Sequence, residues 1–354
     1  MLEKNNGTVN RIVNGQMIDK SLLQVNTDNT GERGLLGSAV HVHSSSKTNV
    51  YLYYTELENM TKDNNASESL QNSTIAKVSK YDLIDDKLTN PKLLFKLPLN
   101  NDIPYHVGGK MIIGPDDNLY IVIGDLLANN SLTQNFKNGT AVYGSGGIIR
   151  MDLDGKPVES VFENSTLGSY FAYGIRNSFG MDFDPLTGYL WDTENGPGFG
   201  DEINLVQPGF NSGWKNVQGV WKVVGDGEIP PYDKYLFTNI TSLNTFGLVD
   251  NYNYPKMTWI NSTGITAIKF LNSSNLGEEY FGDMFVGEYR NGYLYHFDLD
   301  KNRTNILDNS TTNMISDIEI NGKNYSIIKD LPFTASGCYG SFKCEFAEST
   351  VHLT

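Results

Sequence analysis

The amino-acid sequence predicts an all-β fold of the propeller class, and three observations carry that expectation. Period-2 alternation of apolar and polar residues dominates, and no long 3.6-period segment with caps competes with it. Glycine (35 residues), tyrosine (20) and phenylalanine (17) are plentiful, the composition of many short strands joined by tight turns. A strand ending in Asp-Leu recurs at roughly blade-length intervals, in KVSKYDLIDD (77–86), IIRMDLDG (148–155) and GYLYHFDLD (292–300). Such recurrence is a propeller signature. A β-sandwich is the competing all-β fold, but it does not predict one strand ending three times.

Strands are expected at NVYLYYTELE (49–58), NLYIVIGD (118–125), GYLWDTENG (188–196) and DMFVGEYRNGYLYHFDLD (283–300). Each is bounded by Gly, Asn, Asp or Pro, the residues of hairpin turns. A turn followed by a strand recurs as GPDDNLYIVIGD and DPLTGYLWDTENG. The DLDGKP run at 152–157 lacks the downstream Glu of a calcium loop and reads as a turn between strands. GSGGII has its third glycine out of register and no helix after it, so it is no dinucleotide fingerprint. P-loop, HExxH and GxSxG patterns are absent, and the nicotinamide, ATP and serine-hydrolase chemistries lose their sequence support.

The 354 residues are expected to form one propeller domain over 1–354, with an atypical C-terminal tail at 325–354. Net charge is −14 with scattered Lys and Arg, which argues against nucleic acid and anionic membranes as partners. No apolar run reaches membrane-spanning length, and MLEKNNGTVN contains no apolar h-region of a signal peptide. Cys338 and Cys344, spaced C-x5-C, read as a local disulfide or two free thiols, and without histidine neighbours they make a poor zinc site. Thirteen N-x-S/T sequons begin at Asn6, Asn59, Asn65, Asn72, Asn129, Asn138, Asn164, Asn239, Asn261, Asn272, Asn302, Asn309 and Asn324. Their number leans toward an exported, glycosylated, extracytoplasmic protein.

His106 stands directly before a patterned hairpin, one of five histidines in the chain. It is either a general base or a satisfied structural histidine. Residues 169–219 hold Arg176-Asn177 and then Glu194, Asp201 and Glu202 in a glycine-rich loop. Arginine beside asparagine can clamp a planar polyanion; the plain alternative is an interstrand salt bridge. The carboxylates, with carbonyls at Gly196 and Pro197, suit a hard cation such as Ca2+, or else cap turns and face water. Glu194 and Glu202 also read as an acid/base pair of a glycosidase.

Several ordered blocks resemble the soluble pyrroloquinoline-quinone (PQQ)-dependent sugar dehydrogenases, the glucose/sorbosone dehydrogenase family. They are GERGLLGSAVH (31–41), YHVGGKMIIGPDDNLYIVIGD (105–125), YGIRNSFGMDFDPLTGYLWDTENGPGFGDEINLVQPGFNSGW (173–214) and GITAIKFLNSS with YFGDMFVGEYRNGYLYHF (264–297). The resemblance covers most of residues 8–300. It implies a six-bladed β-propeller holding PQQ at one end of its axis, and oxidation of an aldose at C1 to the lactone. His106 falls on the general base that takes the proton of the C1 hydroxyl. Arg176 and Asn177 fall on the PQQ-binding pair, Glu32 on a cofactor-contacting Gln, and Arg290 near a basic cofactor contact. For calcium, the resemblance points to Glu202 with the Ser212 carbonyl, and to the Gly196 and Pro197 carbonyls. Electrons would pass to an external acceptor.

The chain departs from that pattern at both ends. It opens inside the first blade, and NYSIIKDLPFTASGCYGSFKCEFAESTVHLT matches no closing strand pair, so the propeller is expected to be incomplete at both termini, with exposed strand edges. Glu32 in place of Gln sets a negative charge near an anionic cofactor. The rival readings are a non-enzymatic propeller that binds glycan or protein and a glycoside hydrolase.

Overall fold

The alternating runs form strands almost wherever they occur. A computed structural model describes residues 1–44, 47–58, 73–127, 130–140, 144–162, 167–224, 236–237, 239–248, 251–290 and 292–307, and the backbone of 315–320 and 323–328. These residues divide into two compact units. One holds 1–121 and 150–158, the other 122–149 and those from 159 onward.

In the first unit, Leu2–Glu3 (β1), Thr8–Val9 (β2) and Leu23–Gln24 (β5) make a small antiparallel sheet, and Ile12–Val13 (β3) pairs with Gln16–Met17 (β4). Leu35–Ser44 (β6), Lys47–Glu58 (β7), Ser73–Ile84 (β8) and Lys87–Pro98 (β9) then form a four-stranded antiparallel meander, each strand paired with the next. Such a meander is the unit from which propeller blades are built. The interior strand β7 is buried on both faces from Asn49 to Thr55. Its tyrosines fill the interior and carry their polar ends out to loops, Tyr51 donating to the Leu153 carbonyl (3.1 Å) and Tyr53 to the Val107 carbonyl (3.0 Å). Leu2, Val9, Leu22, Leu35, Val50, Leu52, Tyr54, Tyr81 and Leu88 make one apolar core.

Met111–Ile113 (β10) and Asn118–Ile123 (β11) are the expected hairpin after His106. The segment before it lies directly on β6 and β7. A Cβ at Gly37 would sit 1.9 Å from the Gly109 carbonyl oxygen, and one at Gly109 would sit 2.6 Å from the Leu36 side chain and 2.9 Å from the Tyr53 ring. Only glycine permits that approach at either place.

Gly147–Asp152 (β12) pairs with Tyr170–Tyr173 (β13). In the second unit, Ser178–Phe183 (β14), Leu190–Glu194 (β15), Asp201–Val206 (β16) and Met257–Trp259 (β19) lie side by side in that order, all antiparallel. Val217–Gln218 (β17) and Trp221–Lys222 (β18) form a small hairpin. Ile265–Phe270 (β20), Met284–Glu288 (β21) and Leu294–Phe297 (β22) form a three-stranded meander over a core that includes Trp191, Trp259, Ile268, Phe270, Val286 and Phe297. Each Asp-Leu strand, β8, β12 and β22, follows a hairpin in the chain, which is why the repeat is visible in the sequence.

The turn expected at 152–157 is present: Gly155 donates to the Asp152 carbonyl (3.0 Å), and Asp152 Oδ1 accepts from the Asp154 and Lys156 amides. Ile315–Ile320 (β23) pairs antiparallel with Lys323–Ile328 (β24), and β24 pairs parallel with β19. The start of the expected tail is therefore strand. Cys338 and Cys344 lie outside the described residues.

A buried ion pair anchors the first unit. Arg33, 2% exposed, donates to Asp28 Oδ2 (2.8 Å) and to the backbone carbonyls of Asn100, Asn101 and Ile103; Asp28 also accepts from Thr74 Oγ1 (2.9 Å) and the Thr30 amide. Burial alone would raise the Asp28 carboxyl, but the hydrogen bonds from Thr30, Thr74 and Arg33 outweigh it and hold it below the usual aspartate value. Arg33 thus ties the segment leading to His106 to the β6 end of the sheet. Arg33→Ala leaves the Asp28 charge buried and three carbonyls without a donor, so chemical denaturation should show a loss of about 3–5 kcal/mol. A loss within the error of the measurement would mean that the network is not structural.

Candidate functional site

In the first unit, His106 is 7% exposed. Its backbone sits in the left-handed region at φ +58°, where histidine is one of the few tolerated side chains besides Gly, Asn and Asp. The Glu32 carboxylate holds that conformation: Oε2 accepts from the His106 amide (2.6 Å) and, at longer range, from the Val107 amide (3.4 Å). The Glu32 amide in turn donates to the Pro104 carbonyl (3.0 Å). Glu32 is thereby a clamp on the histidine backbone, a role that its side-chain type alone does not signal.

In the second unit the site grows from the β15–β16 hairpin. Antiparallel register sets Asp192 opposite Asn204 and Glu194 opposite Glu202, so strand alternation puts all four on one face. Asn204 Nδ2 donates to Glu194 Oε1 (3.0 Å) and Glu202 Oε2 (3.1 Å), and the Ser212 hydroxyl donates to the same two oxygens. Gln218 Nε2 (2.9 Å) and the Gly219 amide complete Glu202. All three carboxylates are at most 1% exposed.

Burial raises Glu194 to about 7, against hydrogen bonds from Ser212, the Arg176 amide and Asn204. Burial and then the Glu194 charge push Glu202 well above the usual range. The same two causes raise Asp192; the nearby Asn204 amide and Ser178 hydroxyl offset only part of that, and among the described residues neither Asp192 oxygen has a donor in hydrogen-bond geometry.

Arg176 stands beside this cluster. Its amide donates to Glu194 Oε2 (3.3 Å), its Nη1 to the Asn195 carbonyl (2.9 Å), and its guanidinium carbon lies 5.3 Å from the Trp214 ring centroid, within cation–π range. Asp125 fixes that indole: Oδ2 accepts from Trp214 Nε1 (2.7 Å) and Gln134 Nε2 (2.9 Å), while the Asp125 amide donates to the Arg176 carbonyl (2.8 Å). Asn177 is buried, and its carbonyl accepts from the Asn195 amide. Asp125, Trp214, Gln134 and Asn204 were not singled out by sequence reasoning. Asp125 and Trp214 close the blocks NLYIVIGD and FNSGW, and a polar or indole residue at the end of a patterned block was the available signal.

The three carboxylates expected in a glycine-rich loop lie instead on strands, Glu194 at the end of β15 and Asp201 and Glu202 at the start of β16, and Asp201 is spent on backbone. It accepts from the amides of Gly196 (2.8 Å), Thr263 (2.7 Å) and Gly264 (2.7 Å). Among the described residues, the Gly196 carbonyl accepts only a long contact from Ser262 (3.4 Å), and a Cβ at Gly196 would meet the Phe199 carbonyl at 1.8 Å. Pro197 is half-buried beside it. Arg290 is exposed, and its amide donates to the Thr263 carbonyl, tying it to the strand entry that Asp201 clamps. The structure thus links Arg176, Asn177, Gly196, Glu202 and Ser212 by direct bonds or chain neighbours, and Arg290 through Thr263. Glu194 and Glu202 share their donors and are closed to solvent, so no sugar ring fits between them as a glycosidase pair requires.

The family model for glucose/sorbosone dehydrogenases matches residues 1–324. The chain belongs to that family. It is 34% identical over 211 residues to quinoprotein glucose dehydrogenase B of Acinetobacter calcoaceticus, covering 55% of this chain and 42% of that protein. To the aldose sugar dehydrogenase YliI of Escherichia coli it is 25% identical over 262 residues, covering 73% and 62%. The chain therefore spans about two fifths to three fifths of these relatives. Among solved structures, the soluble aldose sugar dehydrogenase of Escherichia coli in its apo-form superposes with a TM-score of 0.64 at 21% identity, over 86% of this chain and 80% of that one. The PQQ-bound aldose sugar dehydrogenase of Streptomyces coelicolor superposes with a TM-score of 0.58 at 22% identity, over 86% and 74%. These likenesses show the fold, a β-propeller.

The raised carboxyls set a stability-versus-pH expectation for protein stripped of metal. A carboxyl raised in the folded state binds its proton more tightly there than in the unfolded chain. Its contribution is full below the ordinary glutamate value of 4.5 and is lost as pH rises through about 7. Chelator-treated protein should therefore melt several degrees lower at about pH 8 than at about pH 5. A flat melting temperature across that interval would mean that these groups are not buried as described.

Proposed function

We propose that the chain is a PQQ- and Ca2+-dependent aldose dehydrogenase on a six-bladed propeller. It oxidises the C1 hydroxyl of the sugar to the lactone, and the electrons pass on to an external acceptor. The observation that carries this reading is the Arg176 guanidinium held over Trp214 at the edge of a buried, all-oxygen, carboxylate-rich cluster, in a member of this family. A fixed guanidinium is made for a planar carboxylate or quinone oxygen.

The residues present fit both groups. Arg176, Asn177 and Arg290 are the side chains we assign to the cofactor region, and Glu32, set beside the cofactor by the resemblance, serves instead as the backbone clamp on His106. PQQ when bound would supply the hydride acceptor. For calcium, Glu202 and the Ser212 carbonyl would hold one ion, and the Gly196 and Pro197 carbonyls another. The donor set is entirely oxygen, and among the described residues the Gly196 carbonyl accepts only the long Ser262 contact; a hard cation would favour the ionised form of the raised Glu202 and Asp192 carboxyls.

His106 takes the general-base role. An imidazole as a class titrates near neutral pH, which suits removal of a hydroxyl proton. The Glu32 clamp and the glycine contact of Gly109 on Gly37 keep its backbone from relaxing, and a rigidly aimed base loses less to misplacement. The exposed sequon residues Asn6, Asn138, Asn239, Asn261, Asn272 and Asn302 support an exported, glycosylated protein; native material should then be heavier than its sequence mass by whole glycans, and an unmodified mass would remove that part.

The chain reconstituted with PQQ and Ca2+ should reduce a dye in the presence of aldoses. His106→Ala should lower kcat by about 100- to 10,000-fold while the quinone absorbance stays bound. Glu32→Ala, as a clamp, should lower kcat with PQQ affinity kept. A loss of PQQ affinity instead would make Glu32 a direct cofactor contact. If folded protein takes up no PQQ at about micromolar concentration, the dehydrogenase reading is wrong and a propeller that only binds glycan or protein takes its place.

A further inference from the structure

We propose that Asp283, His296 and Asp298 form a binding site for a divalent transition-metal ion of the Zn2+ or Co2+ type, separate from the quinone and calcium chemistry above. The site is written into the register of one hairpin. Phe285 lies opposite His296 and Met284 opposite Phe297. Asp283 precedes β21 and Asp298 follows β22, so alternation places Asp283, Phe285, His296 and Asp298 on a single face.

The side chains converge on one point. His296 Nε2 is 2.8 Å from Asp283 Oδ2 and 3.6 Å from Asp298 Oδ1, and one ligand atom from each residue lies within 4.8 Å of the other two. Ligand atoms around a tetrahedral ion with bonds of about 2.0–2.2 Å are about 3.3 Å apart, so the two separations from His296 bracket what an ion needs. The imidazole is held in place before any ion arrives. It stacks on Phe285, with centroids 5.0 Å apart at 27°, and meets Tyr280 edge-on at 5.3 Å.

Charge and donor chemistry select the class of ion. Among the described residues, the ion pairs of Asp283 and Asp298 both run to His296. A single imidazole, even protonated, leaves the trio one negative charge in excess; a divalent ion bound to neutral imidazole removes the excess. One nitrogen and two carboxylate oxygens suit first-row transition ions, whereas Ca2+ takes oxygen ligands alone. Exposures of 14% for Asp283, 35% for His296 and 45% for Asp298 leave the remaining coordination positions open to water.

The test uses the full chain treated with chelator and then titrated with Co2+ and with Zn2+, with no PQQ or Ca2+ present. His41 and His43 form another imidazole pair, and thiols also take up Zn2+, so the quantity read is the difference between wild type and variant. His296→Ala should remove one equivalent of bound Co2+ with its visible absorption, or weaken that equivalent at least about tenfold. Asp298→Asn, which preserves side-chain shape, should do the same and rules out misfolding as the cause. Zn2+ should raise the melting temperature of wild type and raise it less in either variant. Unchanged stoichiometry and affinity in both variants would overturn the site and show that His296 is an ordinary ion-pair partner of the two aspartates. Neither outcome touches the dehydrogenase reading, because no quinone or sugar enters the experiment.

Discussion

The opposed pair Glu194 and Glu202 is the constraint on which the second unit's site depends. Two carboxylates directly across an antiparallel ladder, both shut away from water, repel each other at close range. The fold answers with shared donors. Asn204 and Ser212 each bridge the two groups, and Gln218 and Gly219 close Glu202 from the far side. Everything nearby is arranged around that tension: the Arg176 amide on Glu194, the guanidinium turned toward Asn195 and Trp214, and the Asp125 carboxylate pinning the indole. Burial raises all three carboxyls above their usual range, so the cluster relieves its tension by binding protons more tightly.

A second theme is carboxylates spent on backbone amides. Glu32 holds His106 and Val107, Asp201 holds Gly196, Thr263 and Gly264, and Asp28 holds Thr30 while pairing Arg33. In each case the charge orders a loop that regular secondary structure does not reach, and the amides gain an acceptor stronger than a neutral carbonyl. The loops so held carry the site residues. Precision at His106 and at Gly196 is therefore borrowed from side chains that need touch no ligand.

The two halves of the candidate chemistry rest on different supports. His106 depends on close backbone approach, glycine against glycine over β6 and β7, and on one carboxylate. Arg176 depends on a stacked indole and on strand register. The Asp283–His296–Asp298 trio uses register again, but on a face that retains access to water.

Strand positions, the hairpin after His106, the turn at 152–157 and the family blocks were legible in the sequence, because alternation and turn residues are local signals with a short period. Arg176, Asn177 and Glu202 could be singled out because they lie inside dense motifs. The roles of Asp125, Asn204, Gln218 and Trp214 were not legible, since hydrogen-bond partners up to 89 residues apart are set by packing and leave no periodic trace. Nor could residue type separate a loop clamp such as Asp201 from a buried cluster member such as Glu202: the two are adjacent acids on one strand, and alternation sends them to opposite faces. The sequence by itself determined which elements form and which residue types are at hand. Only the tertiary structure decided which carboxylates are buried together, which hold backbone, and which histidine meets two aspartates, because those outcomes depend on distances across strands that no local pattern encodes.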